Sequence, residues 1–212
     1  MGAEADADPG PESVASNSRL EAALAAIDEA NSDDPHTLEV DGAVRPKEQA
    51  HAELMTEWLL HLDPHADDAQ RVAARAHHLR RWVLARTDYP DGRAGYLRWR
   101  AAQGKRHAAE VADIVTAVGY DAAFAADVSA IVTKKGLGTD PRVQTHEDAL
   151  CLVFLQTQFD ALTDKLGDDH MAQVLAKTLA KMSPTARTIA RGLPVGDRAG
   201  AVLAGVLSEF GG

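Results

Sequence analysis

The chain has 212 residues, is 45% hydrophobic and carries a formal net charge of −10, which is long and apolar enough to bury a sizeable core. No apolar run approaches the roughly 20 residues of a membrane-spanning helix, and the acidic balance argues against broad nonspecific DNA binding. A single cysteine, Cys151, rules out an intramolecular disulfide and fits a reducing cytoplasm.

Residues 1–17 are acidic, rich in Ala, Asp, Pro and Ser, and lack the segments of a secretory signal; they read as a disordered leader. Ser18 and Glu21 make a capping box for a first helix over about 19–30. Thr37 to Val44, with Asp41-Gly42 between two short runs, predicts one β-hairpin ornament near 37–45. Pro46 suits the start of a second helix reaching Leu62, and Asp63-Pro64 opens a third reaching about Arg86. Turn residues Asp88 to Gly92 precede a fourth helix from Ala94 to Val118, and Asp121 starts a fifth that ends near Lys135. A sixth, from Pro141 to Leu166, contains the wholly apolar run Ala149 to Leu155 and is predicted to be central. Helices over Asp168–Lys181, Pro184–Arg191 and Val195–Phe210 complete an all-α, bundle-like single domain over 18–212, with its core in 46–166 and C-terminal helices in 168–210.

Charge is distributed unevenly over these elements. Residues 71–106 hold ten of the 22 basic side chains and only two acids, Asp88 and Asp91, a net +8 inside an acidic protein. A field opposed to the global charge points to an anionic ligand: a phosphorylated small molecule, a nucleotide or RNA. Arg75, Arg80, Arg81, Arg98, Arg100 and Trp82 are the candidate substrate-binding residues.

Helical spacing places several imidazoles and carboxylates on inward faces. His51 shares a face with Met55, Trp58 and Leu62, while His107 shares one with Gln103, Val111 and Ile114. Glu110 lies three residues beyond His107, within reach as its orienting partner or as a general base. Asp148 falls in line with Leu152, Leu155 and Phe159, where an unpaired carboxylate is costly. His51, His78, His107, Glu147 and Asp148 are therefore the candidate ligands of a divalent ion: zinc, manganese, iron, cobalt or nickel. His36, His61, His65 and His170 read as exposed, and Cys151 as an inert core thiol.

The order His51, His77-His78, Asp148 resembles the HD phosphohydrolase superfamily, in which histidines and aspartates hold metal in an all-α, HD-like domain. His77-His78-Leu79 stands where that superfamily has its His-Asp pair, so the resemblance implies a metal site of altered composition. A closer resemblance rests on His78-Leu79-Arg80-Arg81-Trp82, Tyr89-Pro90, Gly95 to Arg100, His107-Ala108, Glu147 to Leu155 and Lys177 to Ser183. These strings are similar to domain-of-unknown-function family four thousand two hundred and two, and they imply membership from Arg19 onward. That family's usual string has Gln at the place of His77 and an aromatic at the place of His51, which shifts weight to His78, His107, Glu147 and Asp148.

The leading expectation is a cytoplasmic metal-dependent hydrolase acting on a phosphorylated or nucleotide-like small molecule, with Glu110 as general base. A metal-free RNA- or protein-binding helical module is one alternative. A helical metal-dependent oxygenase is another, and the sequence leaves the oligomeric state open.

Overall fold

The computed structural model describes residues 11–40 and 42–210, with the side chains of 11–16 outside the description. Its elements in chain order are α1 (Pro11–Ser32), a hairpin of β1 (Thr37–Val40) and β2 (Ala43–Pro46), α2 (Lys47–Leu62), α3 (Asp68–Arg75), α4 (Gly92–Ala117), α5 (Ala122–Val132), α6 (Pro141–Thr157), α7 (Phe159–Leu166), α8 (Asp168–Leu179), α9 (Pro184–Ala190) and α10 (Asp197–Glu209). The protein is all-α with one antiparallel two-stranded ornament, in which Leu38 faces Arg45 and Val40 faces Ala43. Among the described residues, no helix is long and apolar enough to cross a membrane.

Three apolar clusters form the core, and α6 touches all of them. Leu20, Ile27, Val72, Leu79, Val111, Val115, Val128 and Ile131 join α1, α3, α4 and α5, and Val143 of α6 packs into that group. Leu54, Met55 and Leu59 of α2 meet Ala149 and Val153 of α6. Cys151, Leu152 and Leu155 face Phe159 and the C-terminal helices. Burying side chains such as Leu152 and Leu155 contributes roughly 1.5–3 kcal/mol each, which is why the run of apolar residues in α6 sits in the middle.

Four boundaries differ from the sequence reading. Residues 11–17, assigned to the leader, are the first turns of α1, so Ser18 lies inside a helix and caps nothing; the rest of the leader, 1–10, lies outside the described residues, as does Asp41 of the hairpin turn. The third helix begins at Asp68, because Asp67 and Gln70 form the capping box: the Asp67 side chain accepts from Gln70 N at 2.8 Å and Gln70 returns an acceptor to Asp67 N at 3.0 Å. It ends at Arg75 rather than Arg86, so His77 and His78 lie in a run of tight turns. The sixth helix breaks at Gln158 (φ −128°), next to Thr157, whose hydroxyl donates to the Val153 carbonyl at 2.7 Å, a back-bond that bends helices.

The turns after α3 are held by neighbouring side chains. Arg80 has φ +49°, and its N–H donates to Asn31 of α1 at 2.9 Å. Arg106 of α4 donates to the Leu79 and Arg80 carbonyls at 2.9 and 2.8 Å, and Gln103 donates to the Arg81 carbonyl at 2.7 Å. Buried irregular backbone persists only when its polar groups find such partners. The hairpin side of the molecule similarly pins the start of α2: buried Asp34 accepts from Glu48 N at 2.9 Å, and Lys47 N donates to the His36 carbonyl at 2.9 Å.

Candidate metal centre and cationic cavity

Five imidazoles gather where α2, the turns after α3, α4 and α6 meet. The rings of His51 and His78 stack at 4.2 Å between centroids, those of His77 and His78 lie 4.7 Å apart, and His107 is 6.2 Å from His78. His146 Nε2 shares a hydrogen bond with His77 Nδ1 at 2.8 Å. Burial holds all five below the ordinary histidine range, with His51, His107 and His146 near 3, so the cluster is neutral at pH 7.

Glu48, in the first turn of α2, completes a set that can share one ion. One ligand atom each from Glu48, His51 and His78 lies within 4.8 Å of the other two, and this is the one such group among the described residues. The His78 Nδ1 atom is 3.1 Å from Glu48 Oε2, and His51 Nδ1 is buried with no hydrogen-bond partner. Burial pushes the Glu48 carboxyl up to about 7, with the charges of Arg81 and Lys47 offsetting only part of the effect. An unpartnered imidazole nitrogen beside a buried carboxylate can hold a metal ion.

This group adjoins a cavity of about 540 Å³ whose lining includes His51, His77, His78, His107 and Glu147. Among the described residues, five cationic side chains line it, Arg81, Arg100, Lys105, Lys134 and Lys181, against the single carboxylate of Glu147. Arg81 rests over the Trp99 ring at 4.7 Å, and burial lowers its pKa. His107 Nε2 is buried and without a hydrogen-bond partner.

The structure thus brings His51, His78, His107 and Glu147 of the predicted ligands to one place and sends others elsewhere. Glu147 turns to cations, with its oxygens 2.5 Å from Lys134 Nζ and 3.5 Å from Lys181 Nζ. Asp148 accepts from Gln144 at 3.0 Å and from Ser183 N at 2.8 Å, anchoring the start of α9. Neither His107, Glu147 nor Asp148 belongs to the set that can share an ion. Glu110 does not orient His107; it accepts from Arg106 at 2.7 Å and lies outside the cavity lining. Of the candidate substrate residues, Arg81 and Arg100 line the cavity. Arg75 is locked to Asp28 by two hydrogen bonds of 2.6 and 2.7 Å, Arg80 faces Glu110 at 4.0 Å, Arg98 is exposed, and half-buried Trp82 lies outside the lining.

Glu48, His146, Lys134 and Lys181 were missed. Glu48-x-x-His51 is a sequence signal, since residues three apart share a helix face. Lys134 carried none: it has φ +59° just after α5, where glycine is usual, at a cost of about 1 kcal/mol for a side chain. Cys151 lines the cavity yet is buried, with its thiol pushed up to about 12.

An all-α protein with a buried Glu/His/His group is what fold and site define together. The family model described as "Domain of unknown function (DUF4202)" matches residues 21–203, and the chain belongs to that family. No curated protein and no solved structure matches it.

Proposed function

We propose that this protein is a metal-dependent hydrolase of a phosphorylated, nucleotide-sized small molecule. The observation that carries the reading is the adjacency of the Glu48, His51 and His78 group to a cavity with five cationic side chains and one carboxylate. A divalent ion held by Glu48, His51 and His78 would supply Lewis-acid polarisation of a phosphoryl oxygen and acidify water. Arg81 and Arg100 neutralise the phosphoryl group, and Arg81 does so with its guanidinium plane already fixed against Trp99. His107, a neutral imidazole in the cavity lining whose Nε2 has no hydrogen-bond partner, is the group to accept and return a proton.

Metal analysis of the purified protein, followed by assays on p-nitrophenyl phosphate, bis(p-nitrophenyl) phosphate and a nucleotide panel, tests the proposal. Near-stoichiometric divalent metal, lost in His78→Ala and Glu48→Gln, is the expected result. Protein that takes up no divalent metal and is indifferent to chelators in both stability and activity would defeat it. Two histidines and one carboxylate are also the donor set of iron oxygenases; coloured, iron-loaded protein that consumes oxygen would select that reading instead.

A further inference from the structure

Lys134 and Lys181 have no place in the scheme above, yet both line the cavity. They come from different segments, the turn after α5 and the loop between α8 and α9, and converge on the same buried carboxylate, Glu147. Two ammonium groups against one carboxylate leave a positive excess. Arg81 and Arg100 reach the same cavity from other segments, the turns after α3 and α4, and Arg100 is near enough to act on Lys134. Among the described residues, Arg81, Arg100 and Lys105 of the lining form no ion pair, although the Glu48 charge acts on Arg81 from a distance.

The lysine group is also built rather than incidental. Lys134 occupies a left-handed backbone position, with its N–H donating to the Ile131 carbonyl at 2.9 Å, and its side chain is only 18% exposed. The Lys181 loop is fastened from α6: Gln144 donates to the Lys181 carbonyl at 2.8 Å, and Asp148 accepts from Ser183 N at 2.8 Å. Asp148 and Glu147 therefore act on the same loop, one holding its backbone and the other its ammonium.

We infer that Lys134 and Lys181, poised on Glu147, form a subsite for a second anionic group, so that the ligand of this cavity is a small molecule carrying two anionic groups. The inference rests on the phosphoryl-binding reading of Arg81 and Arg100, and names the substrate class more narrowly: a bisphosphate or a phosphate that also bears a carboxylate. Glu147 keeps the two lysines in place and holds down their repulsion until the anion arrives.

The test is calorimetric titration of the full chain, stripped with chelator and then reloaded with zinc, using methylphosphonate and a series of alkylene bisphosphonates with two to four carbons. The expected result is that at least one bisphosphonate binds about tenfold tighter than methylphosphonate. Lys181→Gln, at a half-exposed position, should reduce that advantage to about threefold or less while leaving methylphosphonate unchanged, and Lys181→Arg should keep it. Glu147→Gln should strengthen bisphosphonate binding by a few-fold. Equal affinity for one and two phosphonates in the unaltered protein, or an equal loss of both in Lys181→Gln, overturns the inference. A preference that persists in protein unable to take up zinc leaves the subsite standing and removes only the hydrolase reading. Zinc uptake without the preference does the reverse.

Discussion

Glu48 and Glu147 are both almost wholly buried carboxylates, one on α2 and one on α6, but they keep different company. Glu147 has two ammonium groups within ion-pair distance, whereas Glu48 has an imidazole that burial keeps neutral, with Arg81 and Lys47 acting only from farther off. A carboxylate in low dielectric with a permanent cation beside it is satisfied by the protein; one beside neutral nitrogens is left with a demand for positive charge that a metal ion can meet. The imidazole group and the lysine group therefore differ in the positive charge each already holds.

Removing each carboxylate breaks the comparison most directly. Glu147→Ala leaves Lys134 buried without its partner and should cost about 3–5 kcal/mol in urea unfolding at pH 7. Glu48→Gln in metal-free protein should cost less than about 1 kcal/mol or stabilise, because a neutral amide replaces an under-compensated charge. Similar losses for the two variants would show that the two groups do not differ in this way.

Acid sharpens it next, through the imidazoles. His146 is fully buried, and its folded-state pKa of about 3 lies below the ordinary 6.5. Between those values the unfolded chain binds the proton that the folded chain refuses, so stability is complete above about pH 6.5 and falls as pH drops toward 3. The loss from this one residue amounts to roughly 3 kcal/mol by pH 4. His146→Gln should flatten the dependence of unfolding free energy on pH in that window; an unchanged slope would show that His146 does not carry it. Smaller again, and confined to the other carboxylate, is the metal response: Glu48→Gln should weaken zinc affinity by about a hundredfold, while Glu147→Gln should leave zinc stoichiometry unchanged by metal analysis.

The periodic parts of the chain were legible and the turns were not. His51 and His107 were placed inward because spacings of three and four along α2 and α4 define a face, and the structure buries both at 2% and 3% exposure. The centrality of α6 followed from an apolar run with no polar side. His77 and His78 were assigned to a helix because nothing in Ala73 to Arg81 announces a stop; the stop comes from α1 and α4, whose Asn31, Gln103 and Arg106 stabilise the turns from a distance in sequence. The partners of the carboxylates were illegible for a related reason. Burial of Asp148 could be read from its stripe, but its partner is a backbone N–H at Ser183, 35 residues away. Of the basic segment, Arg81, Arg100 and Lys105 line the cavity, whereas Arg75 and Arg106 pair with Asp28 and Glu110.

Asp148 also provides the finest test of the difference between the two groups. If its carboxylate serves the Lys181 loop and not a metal, Asp148→Asn should keep the acceptor oxygen for Ser183 N and lose only the charge, costing about 1 kcal/mol, whereas Asp148→Ala removes both hydrogen bonds and should cost about 2 kcal/mol. Neither variant should change zinc content, because Asp148 is outside the set that can share an ion. Asp148→Ala should loosen the segment around Lys181 to Ser183, read as faster amide exchange there with exchange in α2 unaltered. Loss of zinc in either variant would return Asp148 to the metal and erase the distinction between the imidazole group and the lysine group.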